Sequence, residues 1–167
     1  MLIALAEDLE ISAVLHRTEA VVAVACGEVT AAALHADWLV LGAGATLTLR
    51  RDGAAAPAMA GALVWRMGGR ARSLLLLEPD ELRANELLAR GIADAVVPGG
   101  VEADAIRWAR DWFSSRSHRA FDVAALLLRS RGGDELERVL FAWLFATGEP
   151  QEGLRAFLEK RPARFGQ

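Results

Sequence analysis

Val21-Val22-Ala23-Val24-Ala25-Cys26-Gly27 is the stretch on which the fold turns. It is an unbroken apolar run, β-branched at Val21, Val22 and Val24, that stops at a glycine. A strand with one wet face alternates polar and apolar residues, so a run without alternation reads as a strand covered on both faces. The Ala-rich stretch from Val29 to Ala36 follows and favours helix.

Further along, Trp38-Leu39-Val40-Leu41 and Thr46-Leu47-Thr48-Leu49 bracket Gly42-Ala43-Gly44 and predict two strands around a turn. Toward the N-terminus, Leu2, Leu5, Leu9, Val14 and Leu15 recur near a helical period and predict an amphipathic helix over 2–16. Arg50-Arg51-Asp52-Gly53 marks a loop, and the Ala-rich 54–67, with Pro57 near its start, predicts a partly helical segment broken by Gly68-Gly69. Asp80 is a candidate N-cap for a helix through Arg90, with Gly91 placed for a left-handed end. Ala95-Val96-Val97 predicts a short strand.

Downstream the pattern is helical. Ile106, Trp108, Ala109, Trp112 and Phe113 recur with helical spacing, and Ser117 is placed to cap a helix over 120–129. Asp134 and Glu137 have the spacing of a capping box for a last long helix ending at Gly148. Strands therefore fill the first half and helices the second.

At 167 residues and 18.0 kDa the chain has the size of one domain with one core. A net charge of -3 offers no general field for phosphate backbones, so no nucleic-acid partner is expected. Cys26 is the only cysteine, which rules out a disulfide within the chain and fits a reducing compartment. The longest apolar runs are far too short to cross a bilayer, and the N-terminal region carries Glu7, Asp8 and Glu10 where a signal peptide is basic. A cytoplasmic protein with no membrane partner is expected. His16 and His118 have no second ligand at metal-binding spacing, so no metal is expected either.

Gly148-Glu149-Pro150-Gln151-Glu152-Gly153-Leu154-Arg155-Ala156-Phe157-Leu158-Glu159-Lys160-Arg161-Pro162-Ala163-Arg164-Phe165 holds the only lysine of the chain. This segment resembles the terminal signature E-G-x-x-A-F-x-E-K-R-x-P-x-F of the enoyl-CoA hydratase/isomerase, or crotonase, family. Two further blocks carry the same resemblance in the family's order. Ala20 to Gly27 followed by Ala36-Asp37 resembles P-V-I-A-A-V-N-G followed by C-D. Gly68-Gly69-Arg70-Ala71 through Ala84-Asn85-Glu86 to Gly91-Ile92-Ala93-Asp94-Ala95-Val96-Val97-Pro98 resembles V-G-x-x-x-A, then A-x-E-A-x-x-x-G-L-V-D-x-V-V-P.

The resemblance implies an α/β chain with a truncated crotonase-like (ClpP/crotonase) spiral, in one domain over 1–167. Within it, 1–100 would be a truncated β/α core and 101–167 a helical oligomerisation region. It also implies an acyl-CoA thioester as substrate, coenzyme A as part of that substrate, no covalently bound cofactor, and a homo-oligomer, a trimer or hexamer. Ala31-Ala32-Ala33 stand where the family has G-G-G, so the backbone N–H of Ala32 is the candidate oxyanion-hole donor. Phe157 and Lys160 match residues that reach the CoA of a neighbouring subunit, Phe beside the adenine end and Lys near phosphate. The alternative is that Phe157 packs on Leu154 and Leu158 and that Lys160 is solvated.

Departures from the family pattern bear on chemistry. About twenty residues precede the first matching strand, so the family's A-F-x-A-G-A-D segment, with its first oxyanion donor, is expected to be missing. Between Gly27 and Asp37 about one helical turn is gone, and with it a catalytic glutamate; His35 lies nearby as a candidate base. The second family glutamate falls near Arg50-Arg51-Asp52-Gly53, with Asp52 as a shifted candidate. Arg66, Arg70 and Arg72 form either an anion-holding patch or a solvated helix face. Proton transfer to or from a thioester needs positioned carboxylates and aimed donors. A catalytically inactive subunit that serves oligomerisation or regulation of a partner is the competing expectation.

Overall fold

The computed structural model describes residues 1–130 and 133–166. They fall into two compact units: one of Leu2–Arg17 and Val21–Ala109, the other of Met1, Thr18–Ala20 and the chain from Arg110 onward.

The first unit opens with strand β1 (Leu2–Leu5), a 3-10 turn (Ala6–Asp8) and the short helix α1 (Ile11–Leu15). β2 (Val21–Ala25) leads to the one-turn helix α2 (Ala31–Leu34) and then to β3 (Trp38–Gly42) and β4 (Thr46–Thr48). α3 (Ala56–Met67), a 3-10 turn (Gly68–Arg70) and α4 (Ala71–Leu77) precede β5 (Glu81–Arg83), α5 (Ala84–Ala89) and β6 (Ala95–Val97). β1, β2, β3 and β6 form a parallel sheet in that order, and β4 pairs antiparallel with β5.

All five residues of β2 are buried, as its unbroken apolar run requires. Its register sets Val22 beside Trp38 and Ala25 beside Leu41. Side chains on either face of the sheet, among them Val14, Leu34, Leu39, Leu63 and Leu87, complete a core with almost no solvent exposure. Gly42 ends β3 where no side chain fits: a Cβ there would lie 2.6 Å from Cys26 Sγ and 3.3 Å from Gly99 O.

Three sequence expectations are corrected here. The helix predicted over 2–16 is instead β1, a 3-10 turn and α1, because Leu2–Leu5 pair in parallel with Val21–Val24. Asp80 does not cap a helix: Glu81–Arg83 pair with Thr46–Thr48, and the helix starts only at Ala84, where the Glu86 carboxylate accepts the Arg83 N–H at 2.9 Å. Gly91, with φ 72°, takes the left-handed end that was predicted.

The second unit is helical. α6 (Glu102–Ser114) enters it at Arg110, and α7 (His118–Ser130), α8 (Asp134–Ala146) and α9 (Glu149–Glu159) follow. Ser117 caps α7 as predicted, its Oγ accepting the Ala120 N–H at 2.9 Å. Phe113 and Phe121 meet edge to face, centroids 5.0 Å apart. The third correction is in α8, where Gly133 is the N-cap and no capping box forms; Asp134, Glu135 and Glu137 occupy the first turn, where their charge suits the helix dipole. No helix of the described residues is long and apolar enough to cross a membrane.

Candidate functional site

The loop from β2 into α2 is fixed at several points. Val29 N–H donates to Thr46 O at 2.7 Å, and Thr46 N–H donates to Gly27 O at 3.0 Å. Thr30 caps α2: its Oγ1 accepts the Ala33 N–H at 3.2 Å and donates to Ala6 O at 3.0 Å, which ties the 3-10 turn after β1 to the start of α2. First-turn amides have no acceptor within their own helix. Thr30 serves Ala33, and its carbonyl takes the Leu34 N–H at 3.3 Å. Among the described residues no acceptor serves the Ala32 N–H, in a residue only 6% exposed.

His35 sits at the other end of α2, as its C-cap, with its own N–H turned back to Ala32 O. The residue is 9% exposed, and its ring lies 5.9 Å from that of Trp65. Nδ1 is buried without a hydrogen-bond partner, and burial pushes the imidazole pKa down, so the neutral ring is favoured.

Within Arg50-Arg51-Asp52-Gly53, near which the resemblance puts the second family glutamate, Arg51 is engaged within the fold. Its guanidinium donates to the carbonyls of Leu75 (2.5 Å), Glu78 and Pro79 (3.5 Å) and pairs with Asp80, so it binds β4's exit to the loop after α4. Asp52, the shifted candidate, is exposed in the loop between β4 and α3. An apolar groove of about 380 Å³ is walled by Ala56, Pro57, Ala60, Leu75 and Leu76, with Arg50 and Arg51 in its lining.

Arg66 belongs to neither reading of the arginine patch. Its guanidinium is buried and donates to Asp94, to Ile92 O and to Ala36 O at 2.9 Å. Arg70 and Arg72 are exposed.

One carboxylate that sequence reasoning passed over stands in the β2–α2 loop. Glu28 Oε1 accepts the Thr48 N–H at 3.2 Å, and Oε2 accepts Thr48 Oγ1 at 3.2 Å and Thr46 Oγ1 at 3.5 Å. The alternation of Thr46 and Thr48 about Leu47 was the available signal, since it places both hydroxyls on one face of β4.

In the helical unit, Phe157 is 79% exposed, and Leu154 and Leu158 are exposed beside it in sequence, so the ring is not buried by them. Lys160 ends α9 in the left-handed region, φ 54°, where its N–H donates to Phe157 O at 3.2 Å. The tail beyond it is anchored by Glu152, which accepts from Arg161 at 2.7 and 3.0 Å and from the Arg164 N–H at 2.9 Å. These donors hold the Glu152 pKa down at about 2, with the Arg161 hydrogen bonds the main cause. A polar cleft of about 450 Å³ opens over Glu149, Glu152, Arg161 and Arg164; neither Phe157 nor Lys160 lines it.

The mixed α/β architecture, a short parallel sheet followed by a run of helices, is shared with solved structures of the crotonase fold, which cover nearly all of this chain. Within it, the chain belongs to the enoyl-CoA hydratase/isomerase family, whose model matches residues 11–167. A relative from Thermus thermophilus, named "Putative enoyl-CoA hydratase", is 30% identical over 109 residues, which cover 62% of this chain and 43% of that one. Among solved structures, an enoyl-CoA hydratase from Polaromonas sp. JS666 superposes with a TM-score of 0.71 at 21% identity, over 93% of this chain and 66% of that one. An enoyl-CoA hydratase/isomerase from Cupriavidus metallidurans CH34 gives 0.71 at 24% identity, over 92% and 63%. At these identities the superpositions speak for the fold. The chain spans less than half of the Thermus relative and just under two thirds of the solved structures.

Proposed function

We propose that the chain binds an acyl-CoA thioester, with the thioester oxygen accepting a hydrogen bond from the Ala32 N–H. The observation that carries this reading is the unserved Ala32 amide on a helix start that Thr30 and Thr46 hold in place. A donor fixed in advance costs no reorganisation when charge develops on the oxygen, which is how such sites stabilise an enolate. The apolar groove beside Arg50 has a size and lining suited to an aliphatic acyl group. Phe157 and Lys160, both exposed, would meet the CoA bound by a neighbouring copy in a homo-oligomer, a trimer or a hexamer. Coenzyme A then enters as part of the substrate.

Calorimetric titration with CoA and with crotonyl-CoA, together with a hydratase assay, tests the reading. Binding of crotonyl-CoA is the expected result; silence in both experiments removes it.

Arg51 favours a second reading. A guanidinium committed to three carbonyls and Asp80 lies in the segment near which the resemblance puts a family glutamate, which suits a catalytically inactive subunit that binds or assembles without turnover. Crotonyl-CoA binding without hydration would select it.

A further inference from the structure

α3 has one charged residue among its twelve, Arg66, and that side chain is turned inward to Asp94, Ile92 O and Ala36 O. Met59, Ala62 and Leu63 are buried in the core. What remains in solvent is apolar throughout: Pro57, Ala58, Gly61, Val64 and Trp65, with Val64 54% and Trp65 38% exposed. A surface helix carries polar residues on the side away from its core, so an outer face without any marks a surface that another body covers.

Gly61, in the middle of that face, indicates which body. Glycine weakens a helix interior relative to alanine, and nothing within the fold calls for one here: a Cβ at Gly61 would meet no atom within 4 Å. On an outer face, a missing side chain lets the backbone of another helix come close. The residues on either side of Gly61 are unlike, small and flat at Pro57 and Ala58, bulky at Val64 and Trp65. Turned about a two-fold axis at Gly61, the face is its own complement. An antiparallel copy sets Gly61 on Gly61, the partner's Trp65 on Pro57 and the partner's Val64 on Ala58, each pair being equally spaced before and after residue 61.

Pro57 also walls the apolar groove, whose lining includes Leu76, 74% exposed. With that rim the face offers on the order of 500 Å² on each copy, so two copies bury about 1,000 Å², the least a specific interface needs and suited to a reversible contact. The exposed face of α3 has no charge to desolvate.

We propose that the outer face of α3 is a two-fold interface between copies of this chain, two α3 helices crossing antiparallel at Gly61. The interface does not rest on the thioester reading. It is separate from the contact proposed through Phe157 and Lys160, which belong to the other unit. In the assembly the partner's Trp65 stands at the edge of the groove suited to an acyl group.

Sedimentation velocity of the full chain from about 1 to about 100 µM, where a contact of this size titrates, is the test, beside thermal melts of the dissociated form. Wild type should form an even-numbered assembly, a dimer, or a hexamer where the two-fold joins trimers. Gly61→Leu puts a branched side chain at the crossing and should halve that mass. Gly61→Ala should weaken the association by about tenfold and yet melt as high as wild type or higher when dissociated, since alanine favours the helix and its Cβ meets nothing. A glycine kept for the fold would show the reverse, a lower melt at unchanged mass. A wild type that stays monomeric or trimeric over this range overturns the interface, as does a Gly61→Leu mass equal to that of wild type. If Gly61→Leu does not fold, Gly61→Ala decides, and an association within about twofold of wild type overturns the assignment. Binding of wild type to phosphatidylcholine vesicles without self-association would give the face to a lipid surface and overturn it as well.

Discussion

The Arg66 guanidinium, with 9% of its side chain exposed, donates to the Asp94 carboxylate, which also accepts the Leu39 N–H at 2.7 Å. One side chain on α3 thereby joins the approach to β3, the end of α2 through Ala36 O and the turn before β6 through Ile92 O. Burial lowers the arginine's pKa and the Asp94 charge opposes that shift.

Arg66→Met should therefore be destabilising by about 2–3 kcal/mol, because it leaves the carbonyls of Ala36 and Ile92 without their donor and takes the guanidinium from Asp94, which keeps the Leu39 N–H. The urea midpoint should fall with an unchanged m-value. Arg66→Lys, with a single point of charge in place of a fork, should recover only part of the loss. An anion-binding arginine would instead leave stability almost untouched.

Glu152 and Arg161 make stability depend on acid. The carboxylate is held at about 2 when folded against an ordinary value near 4.5. A group depressed in this way stabilises the fold above its unfolded value, and its contribution disappears as pH falls through the folded value. Glu152→Gln should melt below wild type at pH 7, and the gap should close as the pH is taken from about 4.5 to about 2. Thermal melts of both proteins across that range check this.

His35 should act near neutrality. Its folded pKa lies below the ordinary 6.5, so the unfolded chain binds the proton more readily, and wild type should lose stability as pH falls from 7 through about 6.5 and below. His35→Leu removes the titrating ring and the unpartnered Nδ1, and should be at least as stable at pH 7 and lack that slope. Denaturant unfolding at pH 7 and pH 5 separates the two proteins.

Gly42→Ala should be destabilising by about 1–3 kcal/mol, through overpacking against Cys26 and Gly99 O. Adding Cys26→Ala should return part of that loss, since it removes the nearer obstacle. Coupling in a double-mutant cycle is the measurement, and simple additivity would count against the contact.

Lys160→Gly and Phe157→Ala separate binding from folding. Lys160 stands in the left-handed region, where glycine is at ease, so Lys160→Gly should leave the melting temperature unchanged or raise it slightly. Phe157 is mostly in solvent and its loss should cost the fold little. Both variants should weaken CoA in calorimetric titration, and unchanged affinity would return these residues to ordinary surface.

Local pattern carried much of this fold, and long-range pairing carried what was missed. β2 was legible because burial on both faces leaves a mark in consecutive residues, and the terminal signature because its spacing is self-contained. In β1, Leu2 and Leu5 satisfy a helical spacing, and only pairing with Val21–Val24 makes them a strand. β5 exists because of β4, far from it in sequence. The same holds for the site. Ala32 is a candidate through the matched motif alone, whereas the settings of Glu28 and Arg66 depend on groups brought in by other elements, Thr46 and Thr48 for one, Ala36, Ile92 and Asp94 for the other.

Every pairing in the four-stranded sheet is parallel, and its last strand joins Val40 to Ala95. A parallel neighbour must wait for its crossover, and closing a long loop costs entropy before any contact repays it. During synthesis β1, β2 and β3 can assemble early, but the flank of β3 has no strand to pair with until the chain has been made past residue 97. That interval, in which Val40 to Gly42 present a bare edge, is the window for mispairing with another nascent chain and the point at which a holding chaperone would act.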